Sequence, residues 1–288
     1  MRDAEERGVG RAMVAPALLV LAAVAGYPTL HAVWLSLRRN ILVFQESRFI
    51  GLDNYWFLLH DARFHTALWN TVYFSCCAVS LELALGICIA LWLDAGGRGA
   101  SVLRACILVP WAIPTVVSAK LWAWLLNGEY GLVARMLPLG DIDVLGAPSY
   151  AMHAAIVVDA WKTTPFVALL VLAGLKTIPS DIYRACAIDG ASKLRVLLHI
   201  QLPMLRSTIA VVALLRGLDA FRVFDAIYVL TDGGPAGSTE TLSIYAYKTL
   251  MRSGDFGYGS TIAVATLLVV ALAGSLVLRA SGAQEAAR

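Results

Sequence analysis

The chain has 288 residues, of which 59% are hydrophobic and 15% charged, and its formal net charge is +3. Soluble domains carry roughly 25% charged residues, so a chain this apolar cannot cover its own surface in water. The small charge gives no argument for a nucleic-acid partner, the modest counts of 23 Gly, 10 Pro and 5 Cys exclude collagen-like, disordered and disulfide-scaffold classes, and an integral membrane protein remains.

A membrane helix needs about 20 mostly apolar residues. Six runs qualify: 12–37, 66–93, 103–126, 150–175, 204–230 and 260–278. Open sheet cannot cross lipid, because its backbone groups would go unpaired. The expected fold class is therefore all-α, a polytopic bundle of six transmembrane helices. In the first run, Ala23-Val24-Ala25 follows an apolar stretch in the manner of a signal-peptide cleavage site. The apolar character continues to Leu37, too far for a signal core, so the run reads as an uncleaved anchor. Pro28 falls in the first run, Pro110 and Pro114 in the third and Pro165 in the fourth. Broken helices at membrane depth line cavities, although prolines are also common in ordinary membrane helices.

Six spans put both termini on one side. Arg2, Arg7, Arg11, Arg98, Arg104, Lys176, Arg184, Lys193, Arg195, Arg206, Arg279 and Arg288 gather on that side. Positive residues favour the cytoplasmic face, so both termini are expected there, with Arg38–Arg39 running against the trend. The intervening loops 38–65, 127–149 and 231–259 then face outward, and their length suits docking of a partner.

Signs of reaction chemistry are missing. Cys76, Cys77, Cys88, Cys106 and Cys186 show no metal or disulfide spacing, and His31, His60, His65, His153 and His199 are scattered. Gly96-Gly97-Arg98-Gly99 lacks the Lys and Ser/Thr of a phosphate loop and reads as a tight turn. No catalytic residue, metal site or cofactor is expected on this chain.

The charges inside the spans stand out: Glu82, Lys120, Asp159, Lys162, Arg216, Asp219, Arg222 and Asp225. Each costs on the order of 3 kcal/mol facing lipid at the bilayer centre, so each should face protein or water. Arg216, Asp219, Arg222 and Asp225 alternate in sign at a spacing of three, which makes them neighbours on one helix side. They form either the wet wall of a solute path or a structural ion ladder. Trp161, Phe221 and Phe224 lie beside these charges, and mixed aromatic and polar groups suit a sugar, whereas packing is the plainer role. The candidate path set is Trp161, Lys162, Asp219, Phe221, Arg222, Phe224 and Asp225.

Residues 176–203 are unusually organised for a membrane loop. Pro179-Ser180-Asp181 predicts a helix start with Ser180 as cap, and Gly190 a stop in the left-handed conformation. A second helix begins at Ser192, and Pro203 marks the turn into the fifth span. A helix–Gly–helix knob of this size suits either a groove on a partner or the plainer role of an amphipathic interfacial loop.

The segment from Tyr183 to Pro203 resembles the cytoplasmic EAA loop of binding-protein-dependent ABC importer permeases. Ala185-Cys186 stands at that family's two alanines, Gly190 at its glycine and Ile200-Gln201-Leu202-Pro203 at the end of its pattern. Arg184 replaces the family's Glu, and Cys186 its second Ala. The stretches Val109–Pro114, Asn127–Leu132, Leu218–Asp225 and Leu230–Pro235 are similar to the maltose- and trehalose-type sugar permeases. The resemblance implies a type I importer permease fold, with a first span and loop over 1–65, a permease domain over 66–280 and a tail over 281–288. It implies that Arg184, Ala185, Cys186, Asp189, Gly190 and Ala191 couple to an ATPase. It further implies a second related permease, two copies of an ATP-binding subunit holding ATP and Mg, and an extracytoplasmic sugar-binding protein. The cargo would be a sugar such as trehalose or maltose, with a polyol or glycerol phosphate as the near alternative. A secondary carrier or a membrane-embedded enzyme is the remote one.

Overall fold

The computed structural model describes residues 13–96, 100–136 and 143–285, so the turn at 97–99 lies outside the described residues. The chain forms two compact units, Met1–Phe64 with Tyr245–Leu268, and His65–Ile244 with Val269–Arg288.

In the first unit, α1 (Met13–Ser36) is a continuous helix with one π turn at Ala22–Gly26, just before Pro28. A proline cannot donate to the preceding turn, and a local widening accommodates its ring. The chain then makes a feature that the hydrophobic pattern does not show, an antiparallel hairpin of β1 (Arg38–Ile41) and β2 (Glu46–Phe49). Asn54, in α2 (Asp53–His60), ties its base to α1 by donating to the carbonyls of Ser36 (2.8 Å) and Arg38 (3.0 Å). Thr261 of the last helix donates to the same Ser36 carbonyl at 3.2 Å. A Cβ on Gly257 would stand 2.1 Å from the Arg38 carbonyl oxygen, so only glycine allows this approach.

The second unit is built around three long helices. α3 (Ala62–Asp94) enters it at residue 65, α7 (Pro148–Leu175) is its most buried helix, and α9 (Lys193–Phe221) packs on α7. Gly86 lets α3 approach α7, since a Cβ there would lie 2.5 Å from Val167 Cγ1. Gly174 does the same for α9 beside Leu205. One apolar cluster gathers Phe74, Met152, Ile156, Ile227 and Ile244, and another gathers Ala90, Val167, Val171, Leu175, Leu205 and Val212. Between α3 and α7 lie α4 (Ala100–Ala112), α5 (Thr115–Leu125) and α6 (Leu132–Met136). α8 (Ser180–Ile188) follows α7, and α10 (Asp225–Leu230) and α11 (Leu242–Tyr247) follow α9. The last helix, α12 (Phe256–Glu285), begins in the first unit and ends in the second.

Five helices are long and apolar enough to cross a membrane, and α4 with α5 makes a sixth span if that pair, bent by 95°, is one. The prolines differ in effect. Pro165 lies inside an unbroken α7, whereas the chain turns sharply at Pro114, which sits as the N-cap of α5. The fifth run also differs from its expected 204–230. Helix α9 starts earlier, at Lys193, passes through Pro203 by way of a π turn at Leu197–Gln201, and stops at Phe221.

Asp61 stands immediately before α3. Its Oδ1 accepts from the Arg63 backbone N–H at 2.9 Å, and its Oδ2 from the Tyr245 (2.6 Å) and Tyr258 (2.5 Å) hydroxyls. Burial works to raise its pKa, but the two hydroxyls and the Arg63 and Phe64 backbone donors outweigh this and hold it below the ordinary carboxylate value. A depressed carboxylate stabilises the fold above its unfolded pKa, near pH 4, and that contribution fades as pH falls through the folded value. Asp61→Ala should therefore lower stability at neutral pH, by about 1 kcal/mol once solvent screening of this part-exposed carboxylate is allowed for. Thermal unfolding in detergent should show the gap from wild type closing below about pH 4.

Candidate functional site

The charges buried in the second unit converge on one guanidinium. Arg216 on α9 donates from Nε to Glu82 Oε2 at 2.6 Å and from Nη2 to Glu82 Oε1 at 2.9 Å, a bidentate fork onto α3. Its Nη2 also reaches Asp159 Oδ2 on α7 at 3.2 Å. Glu82 is fully buried, and the Arg216 side chain is 7% exposed. Paired, hydrogen-bonded charges of this kind are the form in which ions persist away from water. The cluster pins α3, α7 and α9 at one depth.

The expected ladder is thus only partly formed. Asp219 Oδ2 lies 3.5 Å from Arg216 Nη1, and Arg222 donates to Asp219 Oδ1 at 2.7 Å on a more exposed surface. Helix α9 then ends, the backbone breaks over 222–224, and Asp225 opens α10 instead of continuing the row. The spacing of three holds only while the helix does. Glu82 and Asp159, outside the expected path set, prove to be the partners of Arg216. A lone acid in an apolar run signals a needed partner, but which cation it meets is a long-range matter.

Lys162, one turn beyond Asp159, donates from Nζ to the Ile113 carbonyl at 2.7 Å. Ile113 lies in the break between α4 and α5, where the helical ladder is interrupted. The ammonium thus meets a carbonyl at the bend. Trp161 meets Trp122 of α5 edge to face, with centroids 5.5 Å apart. Phe224 stacks on Tyr228 at 5.1 Å and packs against the same apolar cluster as Trp122, and Phe221 is half-buried. Near this aromatic group, three buried polar atoms have no hydrogen-bond partner among the described residues: Trp122 Nε1, Ser118 Oγ one turn earlier on α5, and Thr164 Oγ1 one turn after Trp161 on α7. The structure therefore brings Trp161 and Lys162 together with α5, and places Phe224 nearby. Arg222, at 76% side-chain exposure, stands away from the buried cluster.

The knob between α7 and α9 has the expected helix–Gly–helix form. Gly190 adopts φ +66°, and the Gly190 and Ala191 N–H groups donate to the carbonyls of Ala187 (3.2 Å) and Cys186 (2.9 Å), closing α8. Ser192 caps the next helix by accepting from Arg195 N–H at 3.4 Å. Two details differ from expectation. Pro179 occupies the N-cap of α8, and Ser180 instead accepts from Arg184 Nη2 at 3.1 Å. Pro203 lies inside continuous helix and marks no turn. Arg184 also pairs with Asp181 at 2.8 Å along its own helix, while Ala185, Asp189 and Gly190 are exposed and Cys186 and Ala191 half-buried. Ile188 is 86% exposed at the tip.

Several apolar spans, a buried ion cluster joining three of them and a small exposed helical knob define a polytopic membrane transport subunit. The chain belongs to the family of binding-protein-dependent transport system inner membrane components, whose model matches residues 82–284. It is therefore a multi-pass inner-membrane permease of the ABC importer type, not an enzyme. It is 42% identical to the trehalose/maltose transport system permease protein MalF of Thermococcus litoralis, over 92% of this chain and 90% of that one. It is 38% identical to the trehalose transport system permease protein SugA of Mycobacterium tuberculosis, over 96% and 90%. Its fold matches a chain in the crystal structure of a bacterial alginate ABC transporter in complex with an alginate pentasaccharide-bound periplasmic protein. That match has a TM-score of 0.82 at 21% identity, covering 97% of this chain and 96% of that one.

Arg216→Ala leaves two carboxylates buried without their cation, a loss of about 3–5 kcal/mol, and should sharply reduce the amount of folded protein recovered from membranes. Asp219→Ala leaves Arg216 its stronger partner, Glu82, so recovery and melting temperature should stay near wild type.

Proposed function

We propose that this chain is one permease subunit of an ATP-driven sugar importer, and that its cargo is a neutral glucose disaccharide of the trehalose or maltose type. The observation that carries this reading is the 42% identity to a trehalose/maltose permease over nearly the whole chain. The site supports it. Trp122 and Trp161 offer aromatic faces, and Trp122 Nε1, Ser118 Oγ and Thr164 Oγ1 offer unpartnered polar atoms for hydroxyl groups. Aromatic faces beside a few placed polar groups are what a sugar's mixed surface needs. The two buried cations among the described residues, Lys162 and Arg216, are already committed to Ile113 and to Glu82 with Asp159, which favours neutral cargo over a phosphate.

In this reading the chain works beside a second related permease, two ATP-binding subunits that hold ATP and Mg, and an extracytoplasmic sugar-binding protein. Both termini and the knob face the cytoplasm. Arg184, Ala185, Cys186, Asp189, Gly190 and Ala191 seat on the ATPase, with Ile188 as the apolar point of contact. Arg184 is held by Asp181 and Ser180, so it shapes the knob. Lys162 positions the broken helix. Trp161, Phe221 and Phe224 serve the cargo path, and Asp219, Arg222 and Asp225 its wetter end. To drive the path from one face to the other, ATP binding must favour one state by about 5 kcal/mol.

Uptake of labelled trehalose and maltose into cells carrying the whole importer tests this. Gly190→Pro should abolish uptake, because proline cannot take the left-handed conformation or donate to Ala187, while Gly190→Asn should retain most of it. Normal uptake by Gly190→Pro, or uptake that persists without the ATPase, would overturn the reading.

A further inference from the structure

The hairpin carries a surface that transport leaves unused. Its connection, Leu42-Val43-Phe44, is one 3-10 turn whose three apolar side chains are all exposed, Phe44 at 74%. Exposed apolar area costs about 25 cal/mol per Å² in water, so three such neighbours at a loop tip call for a cover.

The position of the tip says what the cover is. The Leu42 N–H donates to the Gly254 carbonyl at 2.9 Å, Ile41 bridges to Asp255, and α12 begins at Phe256. At the other end, β1 starts two residues after α1 closes at Ser36. Each strand is four residues, about 13 Å. The hairpin is thus held between the last turn of one span and the first turn of another, at the level of a bilayer's headgroup boundary. Its neighbours are those of a membrane interface. Trp34 lies 6.2 Å from Phe49 with the Arg38 guanidinium 5.5 Å from its ring, and Trp56 and Met251 are exposed. Tryptophan and snorkelling cations concentrate at this depth.

Charge supplies a second observation. Arg39 and Arg48 are direct cross-strand partners, and both are exposed. Like charges directly opposite repel. Glu46 reaches Arg39 at 3.2 Å, but among the described residues no carboxylate pairs with Arg48. A phosphate between the two guanidiniums would turn the repulsion into attraction.

We propose that the hairpin of residues 38–49 is an interfacial anchor, with Leu42, Val43 and Phe44 in the acyl boundary of the adjoining leaflet and Arg39 and Arg48 on the phosphate of an anionic phospholipid. This removes the hairpin from the part of loop 38–65 expected to dock a partner protein.

The test uses the intact importer in nanodiscs of roughly three parts phosphatidylcholine to one of phosphatidylglycerol. Phe44 is replaced by the photoreactive p-benzoylphenylalanine, and the binding protein is added. A phospholipid adduct at position 44 is the expected result. An adduct to the binding protein or to another permease chain, or no lipid adduct, overturns the anchor. A second arm compares wild type with Arg39→Gln and Arg48→Gln by mass spectrometry of retained lipid. Preference for phosphatidylglycerol should fall roughly fivefold for each arginine removed, and an unchanged preference overturns the headgroup assignment.

Discussion

The second unit depends on one guanidinium finding its carboxylates inside a bundle that lipid surrounds. Water cannot screen or solvate Arg216 there, so Glu82 must approach with both oxygens and Asp159 must complete the shell. Each partner comes from a different helix, and satisfying the charge therefore sets where α3, α7 and α9 cross. The apolar clusters on either side of this depth then pack with few degrees of freedom left, and Gly86 and Gly174 permit the close approach that the ion geometry requires.

The same logic governs the break at Pro114. A helix that stops within a membrane exposes carbonyls that only protein can satisfy. Lys162 answers at Ile113, and its own position on α7 follows from Asp159 one turn earlier. The aromatic and unpartnered polar groups on α5 and α7 thus sit beside the most strongly determined part of the bundle. The knob belongs to the same construction. Helix α9 runs from Lys193 to Phe221, about 43 Å at 1.5 Å per residue, so the part of the knob that follows the Gly190 turn and Arg216 lie on one rod.

Much of this was legible in the residues. The six apolar runs, the helix–Gly–helix at 180–196 and the burial of Arg216 each follow from a local rule: span length, the left-handed preference of glycine, and the cost of charge in lipid. The misses are equally physical. The ladder assumed a continuous helix through Asp225, and the break after Phe221 moved that residue to another element. Pro203 reads as a stop, yet a π turn absorbed it. The hairpin at 38–49 was invisible because its strands are short, mostly polar and paired in part with residues near 254, more than two hundred positions away.

What the amino-acid order determined by itself was the class: membrane helices, their approximate extents, and a compact helix–Gly–helix knob, because these rest on periodicity, length and neighbours within a turn or two. Partnership was decided only by the tertiary structure. Glu82 rather than Asp219 is the main partner of Arg216, Lys162 serves a carbonyl rather than a carboxylate, and Asp61 gathers two tyrosines from the far end of the chain. These pairings span from about fifty to nearly two hundred residues. No local pattern encodes them, since they arise from which helix faces pack together once the apolar clusters close.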